Sequence, residues 1–325
     1  MRYNTNRNIH ESHHLPANTE QNPLSAVVIG ARTQRQGTGP FIAAGLDTAG
    51  VTVSGIVGTS EASVARAKQQ LADNWSLRTE GFTSLRAALE VTGADAVAIC
   101  SPWQVHQQQL TEVAEASRHC LVEKPLAWPL DEDGADKLIS AFERRNLLLQ
   151  VVNQWPTTLP AFAALHGALV EPVQQFAMRL SPISIGPDMV TDSAPHFVGM
   201  LQALAGPGDC ADARIDSLSA DELQLACRYQ HTGGSIVARL ILKTQEQRPR
   251  PAWYAVNELR ADREVELPDY RQYLVFGDRR VEVPDPMHRV TAQFARSLRA
   301  GEKTQGELLR AAHRNLIQLA AAWGR

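Results

Sequence analysis

Residues 95–125, DAVAICSPWQVHQQQLTEVAEASRHCLVEKP, leave this chain few folds to choose from. Residues 96–100 are a short apolar run of the kind buried on both faces of a parallel sheet. Ser101-Pro102 breaks the run. Over 104–117, Val105, Leu110, Val113, Ala114 and Ser117 fall on or near one face of a helix. Residues 119–122 read as a second buried strand, which stops at Glu123-Lys124-Pro125. Strand, crossover helix and strand make a parallel pair, and open α/β sheets bind ligands at the carboxyl edge of such strands. A lysine at that edge is within reach of a ligand.

Upstream, SAVVIG at 25–30 reads as the first buried strand and ends on a glycine. GARTQRQGTGP follows, and Pro40 suits the first position of the next helix. Gly30, Gly37 and Gly39 permit close approach of a phosphate to the backbone, and the helix N-terminus supplies aligned N–H groups. The loop departs from G-x-G-x-x-G: Arg32 stands at the second glycine's place, and Gly37 and Gly39 come late. The second strand, 51–58, ends in Gly58-Thr59-Ser60 rather than in a carboxylate. Thr59 and Ser60 read either as donors to a ribose 2′-phosphate, with Arg32 and Arg35 nearby, or as the cap of a helix over 61–71. A short helix over 82–90 leads into the strand at Ala96, and an amphipathic helix over 131–145 precedes a closing strand at 147–152.

The turn Ser101-Pro102 with His106, followed by Glu123-Lys124-Pro125, resembles the Gfo/Idh/MocA oxidoreductases, and the likeness runs from about Ser25 to the C-terminus. The resemblance implies a Rossmann domain over 25–152 and a substrate-binding, dimerising α/β domain over 153–325 with a large, open, mostly antiparallel sheet. The C-terminal helices are expected to return to the first domain. It implies binding of NADP or NAD by Gly30, Arg32, Gly37, Gly39, Thr59, Ser60, Ser101, Pro102, His106, Glu123 and Lys124. The strand ending in Thr59-Ser60 is similar to that of NADP-using members, so NADP is the expected cofactor. Lys124 would hydrogen-bond the nicotinamide ribose and the reacting oxygen, Glu123 would orient it, and the Lys124–Pro125 peptide would be cis. His106 would lie near the nicotinamide ribose.

In the second half, Asp192 and His196 resemble the family's D-x-x-x-H pair, in which the histidine exchanges the substrate hydroxyl proton. Pro195 reads as a helix start with Asp192 just before it and His196 in its first turn. Asp192 would hold the imidazole and favour its charged form. The family's glycines before this aspartate are replaced by GPDMV. Gln154 and Trp155, at the seam between domains, read as substrate contacts, with Trp155 the floor of a sugar-like ligand, or else as a proline-anchored turn. A helix over 160–170, a strand over 174–181, a loop over 184–189, a hairpin over 223–243 around His231-Thr232-Gly233-Gly234, further short strands and closing helices over 289–298 and 307–323 complete the domain.

Length and charge are compatible with that reading. The chain has 325 residues, enough for two domains, and a formal charge of −3, which argues against nucleic acid as a main partner. No apolar run approaches the ~20 residues of a membrane span. The four cysteines, Cys100, Cys120, Cys210 and Cys227, lack C-x-x-C spacing and fit reduced thiols in a cytoplasmic protein without a metal site. The first 24 residues read as a disordered polar leader, with His10, His13 and His14 in a solvated tail. The expected activity is hydride transfer between a nicotinamide and a hydroxyl-bearing carbon, or its ketone or aldehyde, in a small polar substrate. The alternatives are a dinucleotide-binding regulator without turnover and an NAD-dependent glycoside hydrolase of the same fold.

Overall fold

Five short apolar strands, buried from both sides, fix the first layer. The computed structural model describes residues 23–31, 37–167, 171–267 and 270–323. Most of the leader, together with Arg32 and Arg35, lies outside these residues. β1 (Ser25–Ile29), β2 (Thr52–Val57), β4 (Ala96–Ile99), β5 (His119–Val122) and β6 (Leu149–Val151) join β3 (Glu80–Phe82) in a parallel sheet of order β3-β2-β1-β4-β5-β6. This 3-2-1-4-5-6 order is that of doubly wound dinucleotide-binding sheets. The crossovers are α1 (Gly39–Thr48), α2 (Glu61–Trp75), α3 (Leu85–Thr92), α4 (His106–Glu115) and α5 (Glu132–Glu143). Alternate residues of β1 and β4 feed two separate apolar layers: Ala26, Val28, Ala96 and Ala98 face α1, while Val27, Ile29, Val97 and Ile99 face α3 and α4. β3 replaces the start of the expected 82–90 helix. Its three residues pair with Gly55, Ile56 and Val57, a contact too short to leave a periodic signal.

The second sheet is eight-stranded, of order β14-β13-β12-β11-β7-β10-β9-β8, antiparallel except where β7 and β10 run together. Its strands are β7 (Gln175–Leu180), β8 (Gly208–Ser219), β9 (Glu222–His231), β10 (Gly234–Lys243), β11 (Trp253–Val256), β12 (Leu259–Glu266), β13 (Arg271–Phe276) and β14 (Arg279–Val283). One face carries Phe176, Met178, Leu225, Tyr229, Ile236, Leu240 and Tyr254 into a core shared with α6 (Leu159–His166), α7 (Pro187–Ala205) and α9 (Gly306–Ala320). α8 (Pro286–Arg299) returns to the first sheet, where Val290, Phe294 and Ala295 join the layer over α1. The approach is close: a Cβ at Gly45 would lie 2.4 Å from Thr291 Oγ1.

α7 corrects the expected helix start. It begins after Gly186, whose φ is +62°, with Pro187 in its first turn, so Pro195 lies in its interior. An interior proline costs roughly 3 kcal/mol or more. Met189, Val190, Ala194, Phe197, Met200 and Leu201 are buried along the same helix. Each of the larger side chains contributes roughly 1.5–3 kcal/mol. Packing therefore outweighs the proline and carries the helix through it.

Candidate active site

The site is built where the carboxyl edge of the first sheet meets α7. β5 ends in Glu123 and Lys124, and the Lys124–Pro125 peptide is cis. Lys124 Nζ donates to Asp192 Oδ1 at 2.5 Å and to the Asp192 main-chain oxygen at 2.7 Å. Ser184 Oγ donates to the other carboxylate oxygen at 3.3 Å. The lysine is thus locked to α7 across 68 residues of sequence, with its side chain 17% exposed.

His196 sits one turn further along α7 from Asp192. Its Nδ1 is buried and has no hydrogen-bond partner. Burial, with the charges of Lys124 and Arg263, lowers its pKa to about 3, although Asp192 pulls the other way. Burial raises the Asp192 pKa, but the charge and hydrogen bond of Lys124 prevail and hold it below the ordinary carboxylate range. This departs from the expected pairing. The Asp192 carboxylate is bonded to Lys124 and Ser184, and its pull on the imidazole is outweighed by burial first and by the Lys124 and Arg263 charges second, so the ring is kept neutral.

The turns after β4 and β5 are tied together by His106. Its ring is fully buried, with Nδ1 2.9 Å from the Pro125 oxygen and Nε2 2.9 Å from the Ser101 oxygen. Both nitrogens are occupied, so His106 acts on any ligand through the two turns it joins. The Ser101 hydroxyl donates to Gln109 at 2.5 Å, and Pro102 is exposed. Glu123 Oε2 accepts from the Lys124 N–H at 3.1 Å, while its Oε1 is buried and unpartnered.

The glycine loop fits a dinucleotide on its backbone geometry. Gly30 has φ +82°, and a Cβ there would lie 2.8 Å from the Cys100 oxygen. A Cβ on Gly39 would lie 2.4 Å from the Gly30 oxygen. Three main-chain segments are therefore in contact at the N-terminus of α1, where N–H groups and the helix dipole favour phosphate. Gly37 is half-buried in the same loop. Thr59 and Ser60 are exposed at the end of β2. Ser60 also caps α2: its Oγ accepts from the Ser63 N–H at 3.3 Å, and Ser63 Oγ accepts in return from the Ser60 N–H at 3.1 Å.

With this geometry the comparisons are decisive. Residues 24–153 match the model of the GFO_IDH_MocA oxidoreductase family, NAD-binding Rossmann fold. The likeness to this family is thus carried by the first sheet and its crossover helices. A UDP-N-acetylglucosamine 3-dehydrogenase of Acidithiobacillus ferrooxidans is 28% identical over 211 residues, which are 62% of this chain and 64% of that protein. The match thus spans less than two thirds of that relative's length. The solved structure of the same enzyme superposes with a TM-score of 0.66 at 22% identity, over 92% of this chain and 97% of that one. A biliverdin reductase from a Synechocystis species, solved with biliverdin and NADP+, gives a TM-score of 0.62 at 18% identity, over 93% and 100% of the two chains. A levoglucosan dehydrogenase solved with NADH and levoglucosan gives 0.65 at 14%, over 92% and 97%. These likenesses show that the shared fold extends through the second sheet.

Lys124, Asp192 and His196 come together, and Gly30 and Gly39 frame the loop after β1, on the same carboxyl edge of the parallel sheet. Trp155 does not floor a ligand site. It is 5% exposed in the core, edge-on to Tyr254 at 6.2 Å and beneath the Arg263 guanidinium at 5.7 Å. Gln154 is half-buried, and its carbonyl accepts from the Thr157 hydroxyl at 2.6 Å. A cavity of about 330 Å³ lies behind Lys124, lined by Asn153, Pro195, Gly199, Gln293 and mostly apolar neighbours. Asp192 and His196 do not line it, and it meets their group only through Lys124 and Pro195. Residues that pattern reading missed are Ser184, Arg250 and Arg263. Arg263 carried a signal: the register Leu259, Ala261, Arg263 places a guanidinium on an apolar strand face.

Proposed function

We propose that this chain is an NAD(P)-dependent dehydrogenase or reductase acting on a hydroxyl-bearing carbon, or its carbonyl counterpart, of a small polar, sugar-like molecule. The observation that carries the reading is the Lys124 ammonium, held at the carboxyl edge of the dinucleotide-binding sheet by Asp192, one helical turn from a buried imidazole. Hydride acceptance or donation is the chemistry a nicotinamide supplies when bound. Lys124 places positive charge where negative charge develops on the reacting oxygen. His196, neutral in the resting arrangement, takes the hydroxyl proton in the oxidative direction and returns it in the other. While Asp192 is spent on Lys124 the imidazole is a weak base. Movement of the Lys124 hydrogen bonds to the substrate oxygen leaves the Asp192 charge free to act on His196, raising its proton affinity as the proton moves.

Gly30, Gly37, Gly39 and the N-terminus of α1 would hold the pyrophosphate, and Ser101, Pro102, Glu123 and His106 would shape the nicotinamide end. We favour NADP, because exposed Thr59 and Ser60 hydroxyls stand at the end of β2; Glu61, next along, is the opposing feature. A sugar-like substrate accords with the names of the UDP-N-acetylglucosamine and levoglucosan dehydrogenases. We assign residues 25–152 to the cofactor domain and 153–325 to the substrate domain. The outer face of the second sheet, where Val237 is 62% exposed, suits contact with a second copy. Four free, buried cysteines accord with a cytoplasmic setting. Among the described residues no helix is long and apolar enough to cross a membrane.

The test is turnover of a panel of sugars, polyols and their ketones with NADP(H) and NAD(H), followed by reduced-nicotinamide absorbance. Turnover of at least one compound, falling about 10²-fold or more in Lys124→Ala, is expected. No cofactor binding and no turnover across the panel would overturn the reading.

A further inference from the structure

Among the described residues, no carboxylate bonds the side chains of two arginines that act on the Asp192–His196 pair. Arg263 lies on β12, opposite Leu274 of β13, and donates its main-chain N–H to Ala252 at 2.8 Å. Ala252 and Leu274 are both core residues, so the Arg263 side chain enters on the inner face of the sheet. Arg250 precedes β11 at the same end, and Arg263 Nη2 donates to the Arg250 main-chain oxygen at 2.7 Å. Nε and Nη2 of Arg250 and Nε of Arg263 are buried without a hydrogen-bond partner. Arg250 is close enough to Asp192, and Arg263 to His196, to act on their charge.

Among the described residues, the neighbouring carboxylates do not satisfy these guanidinium groups. Asp192 is occupied by Lys124 and Ser184, and the one bonded oxygen of Glu123 serves the Lys124 N–H. Exposed Arg248 adds a further cation near Arg250, and Tyr270 is close enough to act on the charge of both arginines. Buried charged donors left unpaired are costly, and a protein retains them where a ligand completes them. A guanidinium presents a planar fork that matches a carboxylate or a phosphate.

We infer that the substrate carries an oxyanion, a carboxylate or a phosphate group, which Arg250 and Arg263 clamp while its hydroxyl-bearing carbon lies at Lys124 and His196. The clamp sets substrate specificity within the redox reading above, and its position in the substrate half separates it from the dinucleotide phosphates at α1. A substrate so held is oriented by charge at one end and reacts at the other.

The experiment is isothermal titration of the NADP-loaded protein with glucuronate, glucose 6-phosphate, UDP-N-acetylglucosamine and, as neutral controls, glucose and N-acetylglucosamine, in wild type and Arg250→Gln. At least one anionic compound is expected to bind tenfold or more tightly than its neutral counterpart. That advantage should fall at least tenfold in Arg250→Gln, recover in part in Arg250→Lys and weaken with added salt. Preference for glucuronate identifies the carboxylate form, and preference for the phosphorylated sugars identifies the phosphate form. The unliganded melting temperature of Arg250→Gln should not fall, because that side chain makes no hydrogen bond that the substitution removes. Equal binding of neutral and anionic compounds, equal losses for both in Arg250→Gln, or no binding at all would overturn the clamp. NADP binding and turnover are read separately. If they fail while Arg250-dependent anion binding persists, the redox reading is lost and the clamp stands.

Discussion

Replacing Lys124 with methionine should raise the pKa of His196, although burial continues to hold it down. The ammonium now does two things: it occupies the Asp192 carboxylate at 2.5 Å, and it opposes protonation of the imidazole. Methionine keeps much of the aliphatic stem and removes both effects. Asp192, which lies below the ordinary carboxylate range only because Lys124 outweighs burial, should then titrate higher. Its charge, no longer neutralised, acts on His196 one turn away, so the imidazole should climb from about 3 toward the ordinary value of 6.5. Stability should fall as well. Removing one partner of a buried pair costs roughly 3–5 kcal/mol, and an exposed pair is worth about 0–1 kcal/mol. With side chains 17% and 27% exposed, this pair lies between the limits, and a loss of about 2 kcal/mol follows. The assay is a histidine side-chain NMR titration of wild type and Lys124→Met, with the His196 signal assigned by its disappearance in His196→Gln, and urea unfolding for the stability. A His196 titration that stays in place or moves down would refute the reasoning, because both consequences of losing the ammonium point upward.

Three further outcomes follow from the geometry. His196 is neutral in the folded chain, with a pKa lowered to about 3, but takes a proton near 6.5 when unfolded, so its contribution is present above 6.5 and is lost as pH falls toward 3. At about 1.4 kcal/mol per pH unit, wild type should lose about 2 kcal/mol between pH 6.5 and pH 5 relative to His196→Asn, measured by urea unfolding at each pH. Gly39→Ala places a Cβ 2.4 Å from the Gly30 oxygen, and should destabilise by about 1–3 kcal/mol while weakening dinucleotide binding in a fluorescence titration. Ser60→Ala removes the acceptor that caps α2, and should cost about 1 kcal/mol in thermal unfolding and weaken NADPH more than NADH.

The first half was legible because its physics is local. Strands buried on both faces are continuous apolar runs, so 25–30, 96–100 and 119–122 announced themselves, and Glu123-Lys124-Pro125 fell on the edge where ligands bind. β3 was invisible because three residues, one a glycine, carry no period. β8 was invisible for another reason. GDCADARIDSLS buries only Cys210 fully, and its pairing is set by β9 rather than by its own pattern. In α7 the helix starts at Pro187 rather than at Pro195, and the burial of Met189 and Val190 carries it back over residues that read as a loop. The charge balance at the site was beyond sequence reading. That Lys124 would claim Asp192 depends on a contact across 68 positions, and burial together with the Lys124 charge outweighs the pull of Asp192 on His196.

The most direct test is a crystal structure with NADP+ bound. The reactive carbon of the nicotinamide should lie within about 4 Å of a substrate-sized space bounded by Lys124 Nζ and the His196 ring, a separation suited to transfer between close-held partners. A ring seated elsewhere, or Lys124 and His196 on opposite sides of intervening protein, would contradict it.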